Sequence, residues 1–142
     1  MSFKRMLALL FSAFFAMSLL TVSHTAQAEP ITTAPEFSAL EQGTSCVNIG
    51  NGDVCIRVGD IVNNRADISV WFTKKAGDPV FVRLAWFPGP RYDEGGFWIS
   101  AGEVRGYIWR NQLLYDYYCF TGAILMDPPN WLVSINGGTV CR

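Results

Sequence analysis

The sequence predicts an all-β protein: a small antiparallel β-sandwich, immunoglobulin-like or similar, or a partly closed barrel, with about eight to nine short strands. Three observations predict it. From Ser45 onward, apolar residues recur with a period of two, which is typical of strands. Glycine- and proline-rich turns separate these runs at short intervals. Four cysteines follow an export signal, which favours two disulfides.

Residues 1–28 have the pattern of a secretory signal peptide, in a style typical of bacteria. Lys4 and Arg5 precede an apolar run over residues 6–20, and Ala26-Gln27-Ala28 has the small-x-small spacing that a signal peptidase accepts. The apolar run is shorter than the roughly 18 residues expected of a membrane-spanning helix. We therefore expect secretion, to an extracellular or periplasmic location. The alternative is an uncleaved N-terminal anchor.

The predicted mature chain consists of a flexible N-terminal arm, residues 29–44, and a single β domain, residues 45–142. Cleavage removes Lys4 and Arg5 from the 11 basic residues, and the remaining nine face 12 acidic residues, which gives a net charge of −3. Nucleic-acid binding needs a basic face, and docking on anionic membranes needs a polybasic segment. We expect neither for the mature protein, and the oligomeric state stays open.

The cysteine spacing favours two local disulfides, Cys46–Cys55 and Cys119–Cys141. Each pair flanks a turn signal: a Gly-Asn-Gly-Asp sequence lies inside the first, and a Gly-Gly pair comes shortly before Cys141. Cys46 and Cys55 would face each other across a hairpin and fix its register. The spacing lacks C-x-x-C, so no metal site is predicted.

The clearest strands are residues 66–73 and 80–87. In the first, Ile68, Val70 and Phe72 share an apolar face, and the second is apolar on both faces, as in a central or covered strand. The turn between them, residues 76–79, has the length of a hairpin. Further strands are predicted at residues 45–49, 54–58, 96–100, 104–110, 115–126 and 131–135, and residues 139–142 complete the set.

Residue types exclude most catalytic chemistry in the mature chain. His24 is the only histidine, and it lies in the predicted signal peptide. A Ser-His-Asp or Cys-His site needs an imidazole, and paired cysteines leave no thiolate. Neither a phosphate loop nor a dinucleotide motif occurs, so no cofactor is predicted. We expect a non-enzymatic protein. The alternative is a carboxylate-based glycosidase using Asp93 and Glu94.

Four aromatic residues fall outside the apolar faces that we assign to the core. They are Trp71, Trp98, Tyr107 and Trp109, and the strand pattern predicts that they point outward on neighbouring strands. Such a row can stack on sugars or anchor a protein partner. The alternative is a second packing layer that covers them.

The loop of residues 88–96 is a second candidate contact. Two prolines stiffen it, and we expect Arg91 and Tyr92 to form a protruding tip. A stiff loop loses little entropy when it binds, as when an inhibitor presents an arginine to a protease. The alternative is an ordinary connection between strands.

The leading hypothesis is a secreted binding protein for an extracellular protein or polysaccharide, in the first form an inhibitor of an extracellular hydrolase. The alternatives are a carbohydrate-binding module using the aromatic row, and a structural or toxin-like exported protein. In architecture the chain resembles bacterial amylase inhibitors and chromoproteins. The Trp-Arg-Tyr signature of those amylase inhibitors is absent, and the nearest string is Trp109-Arg110-Asn111. The resemblance therefore carries over no functional residue.

Overall fold

The computed structural model describes residues 28–31, 43–115 and 117–142, which form ten β-strands and no helix. Residues 1–27 of the predicted signal peptide and residues 32–42 of the predicted arm lie outside the described residues. Nothing in the described ranges is a helix that could cross a membrane. The strands are β1 Ala28–Ile31, β2 Thr44–Asn48, β3 Gly52–Val58, β4 Arg65–Lys74, β5 Val80–Phe87, β6 Arg91–Tyr92, β7 Phe97–Ile99, β8 Val104–Leu113, β9 Cys119–Met126 and β10 Val133–Cys141.

The strands form two antiparallel sheets that pack as a sandwich, which confirms the predicted fold class. The first sheet has the order β1-β8-β4-β3-β2. The second has the order β10-β9-β5, and both β6 and β7 pair with the free edge of β5. Nine of the ten strands have three residues or more, in line with the number expected from the turn spacing.

The core lies between the sheets and follows the predicted alternation. Ile68, Val70 and Phe72 of β4 are fully buried, and Val82 and Leu84 of β5 face them. Because both strands carry an unbroken apolar face, each sheet can bury that face only against the other sheet. The alternation of apolar residues thus identifies the residues of both sheets that form the core.

The turn after β4 does not form the predicted hairpin. β4 pairs with β3 and β8, whereas β5 pairs with β6, β7 and β9, so residues 76–79 carry the chain from one sheet to the other. Lys74 closes this end of the core: its side chain is buried, and its Nζ donates to the Ala76 carbonyl at 2.7 Å. A short turn fits either connection, and burial of two apolar faces favours the crossing.

Two predicted boundaries also change. The strand predicted at 115–126 begins only at Cys119, and the segments 131–135 and 139–142 join into the single strand β10. An irregularity between Asn136 and Thr139 interrupts the pairing of β10 with β9. Gly137 and Gly138 occupy it, and a Cβ at Gly138 would overlap the Ser45 backbone. These glycines let β10 approach β2 closely, and the Thr139 N–H donates to the Ser45 Oγ.

Both predicted disulfides are confirmed. Cys46 and Cys55 are directly opposite each other in the β2–β3 pair, and Cys119 and Cys141 are opposite in the β9–β10 pair. Each bridge therefore joins neighbouring strands and fixes their register. One bridge lies in each sheet.

Candidate functional site

Three members of the predicted aromatic row are not exposed. Trp71 is 6% exposed, and Tyr107 and Trp109 are 5% exposed each. Tyr107 and Trp109 are opposite Val70 and Ile68 of β4, and directly opposed residues share one face of a sheet. The inner face of β8 is therefore the one we predicted to be outer. Because the side-chain period is two, the long-range register decides this orientation, and the local pattern does not.

Trp71 does lie on the outer side of the first sheet, yet it is buried there. Its cross-strand neighbours are Cys55 on β3 and Gly106 on β8. Cys55 is itself 3% exposed. The expectation of an exposed indole at this position is therefore wrong, and the predicted four-residue row does not assemble.

Trp98 is the exception, and its predicted outward orientation is confirmed. Its side chain is 65% exposed, whereas the next residue, Ile99, is fully buried. Trp98 lies on β7 opposite Phe81 of β5. It therefore belongs to the second sheet, away from the other three aromatics of the predicted row.

Arg91 and Tyr92 do not form a protruding tip. They form the short strand β6, which folds back on β5, with Tyr92 opposite Ala85 and Arg91 opposite Trp86. Both side chains are exposed, Tyr92 at 45%. The Trp109 indole Nε1 donates to the Tyr92 carbonyl at 3.2 Å, which ties this strand to the first sheet.

The outer side of the second sheet carries a compact aromatic cluster. On β5 the residues that alternate with the core are Phe81, Arg83, Ala85 and Phe87, and β6, β7 and the turn before β10 add aromatic rings beside them. The Phe81 ring centroid is 5.4 Å from Trp98 and 5.7 Å from Trp131. We call this cluster the aromatic face and define it as Phe81, Arg83, Tyr92, Trp98 and Trp131.

The turn before β10 and a glycine position Trp131. The Trp131 N–H donates to the Asp127 carbonyl at 2.8 Å, which closes the turn of residues 127–131. Gly96 lies against the rings of Phe81 and Trp131, so that any side chain at this position would overlap both rings. A single missing side chain thus allows the two rings to pack together.

Arg83 lies at the centre of the aromatic face and is held by Asp93. The Arg83 Nε donates to Asp93 Oδ1 at 3.0 Å, and its Nη2 donates to the Asp93 carbonyl at 2.5 Å. Asp93 Oδ2 accepts the Leu84 N–H at 2.9 Å. The Arg83 guanidinium carbon is 5.1 Å from the Tyr92 ring centroid and 5.9 Å from that of Trp131, within the range of cation–π attraction.

Burial raises the pKa of two residues next to the aromatic face, Asp93 and Tyr107. The pKa of Asp93 is raised above its ordinary value because burial disfavours the charged carboxylate more than its hydrogen bonds with Leu84 and Arg83 favour it. Burial also raises the pKa of Tyr107 to about 12, and the negative charge of Glu94 adds to this shift. Of the two carboxylates of the glycosidase alternative, Asp93 is buried and positions Arg83, whereas Glu94 is exposed.

A groove of about 310 Å³ opens beside Arg83 on this face, and we call it the Arg83 groove. Arg83 is the only charged residue among those that line it. Aromatic rings form much of its wall, and neutral polar side chains lie at its rim. Its lining includes Arg83, Phe87, Tyr92, Trp131, Asn130 and Ser134.

A larger groove, about 460 Å³, lies at the end of the first sheet. Two of its charged side chains bind the backbone of Asn111: Arg65 Nη1 donates to the Asn111 carbonyl, and Asp67 Oδ1 accepts the Asn111 N–H. No aromatic residue lines it. It therefore lacks the rings that border the Arg83 groove. The described part of the chain holds no cluster of His, Cys, Asp or Glu that could bind a metal ion.

Sequence reasoning found Trp98 and Tyr92 but missed Phe81, Arg83 and Trp131. The apolar character of both faces of residues 80–87 was the available signal, because a strand that is apolar on its outer side needs a cover or a partner. Known proteins offer no guide to the site: no family model matches the chain, and no curated protein or solved structure matches it.

Proposed function

We propose that this chain is a secreted, non-enzymatic binding protein, and that the aromatic face is its contact surface for a protein partner. The observation that carries the proposal is the exposure of Trp98, at 65%, and Tyr92, at 45%, around the fixed guanidinium of Arg83. Tryptophan, tyrosine and arginine dominate the energies of protein interfaces. The two disulfides are consistent with an oxidising compartment.

The geometry of the rings favours a protein over a sugar chain. A polysaccharide lies best on coplanar rings, whereas the Trp98 ring is tilted by 52° to that of Phe81. Arg91, which precedes Tyr92 on β6, is an exposed cation on the other side of that strand. In its finer form, the proposal is that the partner is an extracellular hydrolase that the protein inhibits, with the aromatic face or Arg91 as the contact.

Polysaccharide binding is a second candidate function, and one observation favours it. The Arg83 groove combines three aromatic rings with the neutral polar side chains of Asn130 and Ser134, a combination that suits sugar hydroxyls. A structural or toxin-like role with all aromatics in the core is less favoured, because Trp98 is mainly exposed.

A double variant tests the proposal. Trp98→Ala combined with Tyr92→Ala should fold normally and lose the partner captured by the wild-type protein from culture supernatant. Tyr118→Ala is the matched control, because Tyr118 is 73% exposed and lies outside the aromatic face. Retention of the partner by the double variant, or its loss from the Tyr118 variant, would contradict the proposal. Inhibition assays with the captured hydrolase and a polysaccharide panel separate the finer forms.

A further inference from the structure

The hydrogen bonds of Arg83 use only one edge of its guanidinium. Nε and Nη2 both donate to Asp93, to the carboxylate and to the backbone carbonyl. These two nitrogens form the edge beside the side-chain stem. The edge at the end of the side chain consists of Nη1 and the second Nη2 hydrogen. No described residue accepts a hydrogen bond from this edge. A guanidinium has five donors in a rigid fork, so an entire edge is open to a planar acceptor.

The neighbouring groups hold the Arg83 guanidinium in place. Asp93 holds the guanidinium from behind with a carboxylate that is 2% exposed, while the Arg83 side chain remains 24% exposed. The rings of Tyr92 and Trp131 flank the cation at 5.1 and 5.9 Å. A donor pair that is already oriented loses little entropy when it binds an acceptor.

The charge of the groove selects the acceptor. Arg83 is the only charged lining residue, and the carboxylate that partly balances it lies behind the guanidinium, outside the lining. A carboxylate fits the open edge with two parallel hydrogen bonds, which is the strongest common arrangement for arginine. The adjoining rings reduce the exposure of that pair to water.

We propose that the Arg83 groove is a recognition site for an acidic side chain, aspartate or glutamate, in an extended segment of the protein partner. This inference rests on the proposed function and specifies the chemistry of its contact. The carboxylate accepts hydrogen bonds from Nη1 and Nη2 of Arg83. Apolar residues beside the acid pack on Trp98 and Phe81.

The strand beside the groove supports an extended protein segment as the occupant. β10 borders the groove through Ser134, and over residues 133–136 it pairs with β9 on one side only. Those four residues contain no charge and no proline, the usual features that keep an edge strand from pairing. Leu132 and Val133, the two residues before Ser134 in the chain, are 74% and 46% exposed. An added strand would satisfy this edge, which is two strands away from β5, and neighbouring residues of the same partner segment would cross the outer side of the sheet to Arg83.

A random-peptide phage library selected on the immobilised full exported chain tests the proposal. We expect the selected peptides to share an aspartate or glutamate next to apolar residues. For one synthetic binder, replacing the acid with its amide should weaken binding about ten-fold or more, since hydrogen bonds between charged groups are strong. The Arg83→Gln variant should bind both peptides with the same reduced affinity, because the acid then has no partner.

Arg83→Gln leaves Asp93 without its partner, so a second variant guards against misfolding. Arg83→Gln combined with Asp93→Asn removes both charges and should also fail to distinguish acid from amide. Arg110→Gln is the matched control, because Arg110 is an exposed arginine that pairs with Asp67 on the first sheet. It should keep the preference of the wild-type protein for the acid.

Four results would overturn the inference. They are peptides without an acid, an amide peptide that binds as well as the acid, a requirement for a free C-terminal carboxylate, and binding of polygalacturonate but of no peptide. In the first two cases, loss of the peptide by the Trp98→Ala variant would leave the proposed contact face standing. If Trp98→Ala also bound the peptide normally, the proposed function would fail as well.

Discussion

The outer sides of the two sheets place tryptophan in opposite environments. Trp71, on the first sheet, is 6% exposed, and Trp98, on the second, is 65% exposed. Both lie on the outer side of a strand by the simple alternation of residues. Alternation therefore identifies the side of the strand, and it does not tell whether that side reaches water.

Position within the sheet accounts for part of the difference. Trp71 lies on β4, the central strand of five, and has cross-strand neighbours on both sides, Cys55 and Gly106. Trp98 lies on the three-residue strand β7, whose one paired strand is β5. A ring on an edge strand has fewer neighbours to cover it. It is also better placed to meet a partner, which is why we assign contact to the second sheet.

Alanine substitutions at the two tryptophans should separate stability from binding. Trp71→Ala should lower the free energy of unfolding by about 3–5 kcal/mol, the usual cost of removing a buried indole. Trp98→Ala should lower it by less than about 1 kcal/mol, because most of the ring already contacts water. Urea denaturation of both variants measures the difference.

The comparison fails if the two tryptophan variants lose similar stability. A large loss of stability in Trp98→Ala would mean that the Trp98 ring is part of the packing. A small loss in Trp71→Ala would mean that burial of the Trp71 ring contributes little to stability. Trp98→Phe is a useful intermediate, because it keeps an aromatic ring opposite Phe81. It should retain part of the binding that Trp98→Ala loses.

Tyr107 lies on the inner side of the first sheet, and Glu94, between β6 and β7, affects its pKa. Its pKa is raised to about 12 by burial and by Glu94, whereas a tyrosine in the unfolded chain titrates near 10. The folded state therefore keeps a proton that the unfolded state has lost, and stability should fall as the pH rises through this interval. Tyr107→Phe should lose less stability than the wild type between about pH 10 and about pH 12.

Alkaline titration followed by tyrosinate absorbance gives a direct check on Tyr107. One of the five tyrosines of the chain should ionise late, and Tyr107→Phe should remove that late step. Tyr118→Phe removes a hydroxyl from an exposed side chain and should leave the late step in place. A late step that survives in the Tyr107 variant would contradict the assignment.

Features that depend on local sequence were predictable. Ile68, Val70 and Phe72 recur at every second position, and they form the inner face of β4. Cys46 and Cys55 flank a turn, and they are opposed across it. In both cases the residues that interact are close in sequence, so the pattern itself contains the contact.

Features that depend on distant pairing were not predictable. The inner orientation of Tyr107 and Trp109 follows from their register with β4, which lies far earlier in the chain. The aromatic face joins side chains from β5, β6, β7 and the turn before β10, and no single segment shows their convergence. In the sequence, Arg83 is one polar residue in an apolar strand. Its hydrogen bonds with Asp93 show that it is held at the centre of the aromatic face.

Two carboxylates extend the comparison of the sheets to their response to pH. Asp53, on β3 of the first sheet, has a pKa lowered mainly by its hydrogen bond with Lys75. Asp93, next to the aromatic face, has a pKa raised by burial. A lowered pKa adds stability that is present above the unfolded value and lost as the pH falls, and a raised pKa adds stability that is lost as the pH increases.

Asn substitutions at the two carboxylates should therefore give opposite slopes. As the pH increases from 3.8 upward, the free energy of unfolding of Asp93→Asn should rise relative to that of the wild type. As the pH increases toward 3.8 from below, the free energy of unfolding of Asp53→Asn should fall relative to that of the wild type. The Asp53 effect should stay below about 1 kcal/mol, because Lys75 is exposed and water screens the pair. Urea denaturation across acidic pH measures both slopes. Slopes of the same sign would contradict the assignment of opposite environments to Asp53 and Asp93.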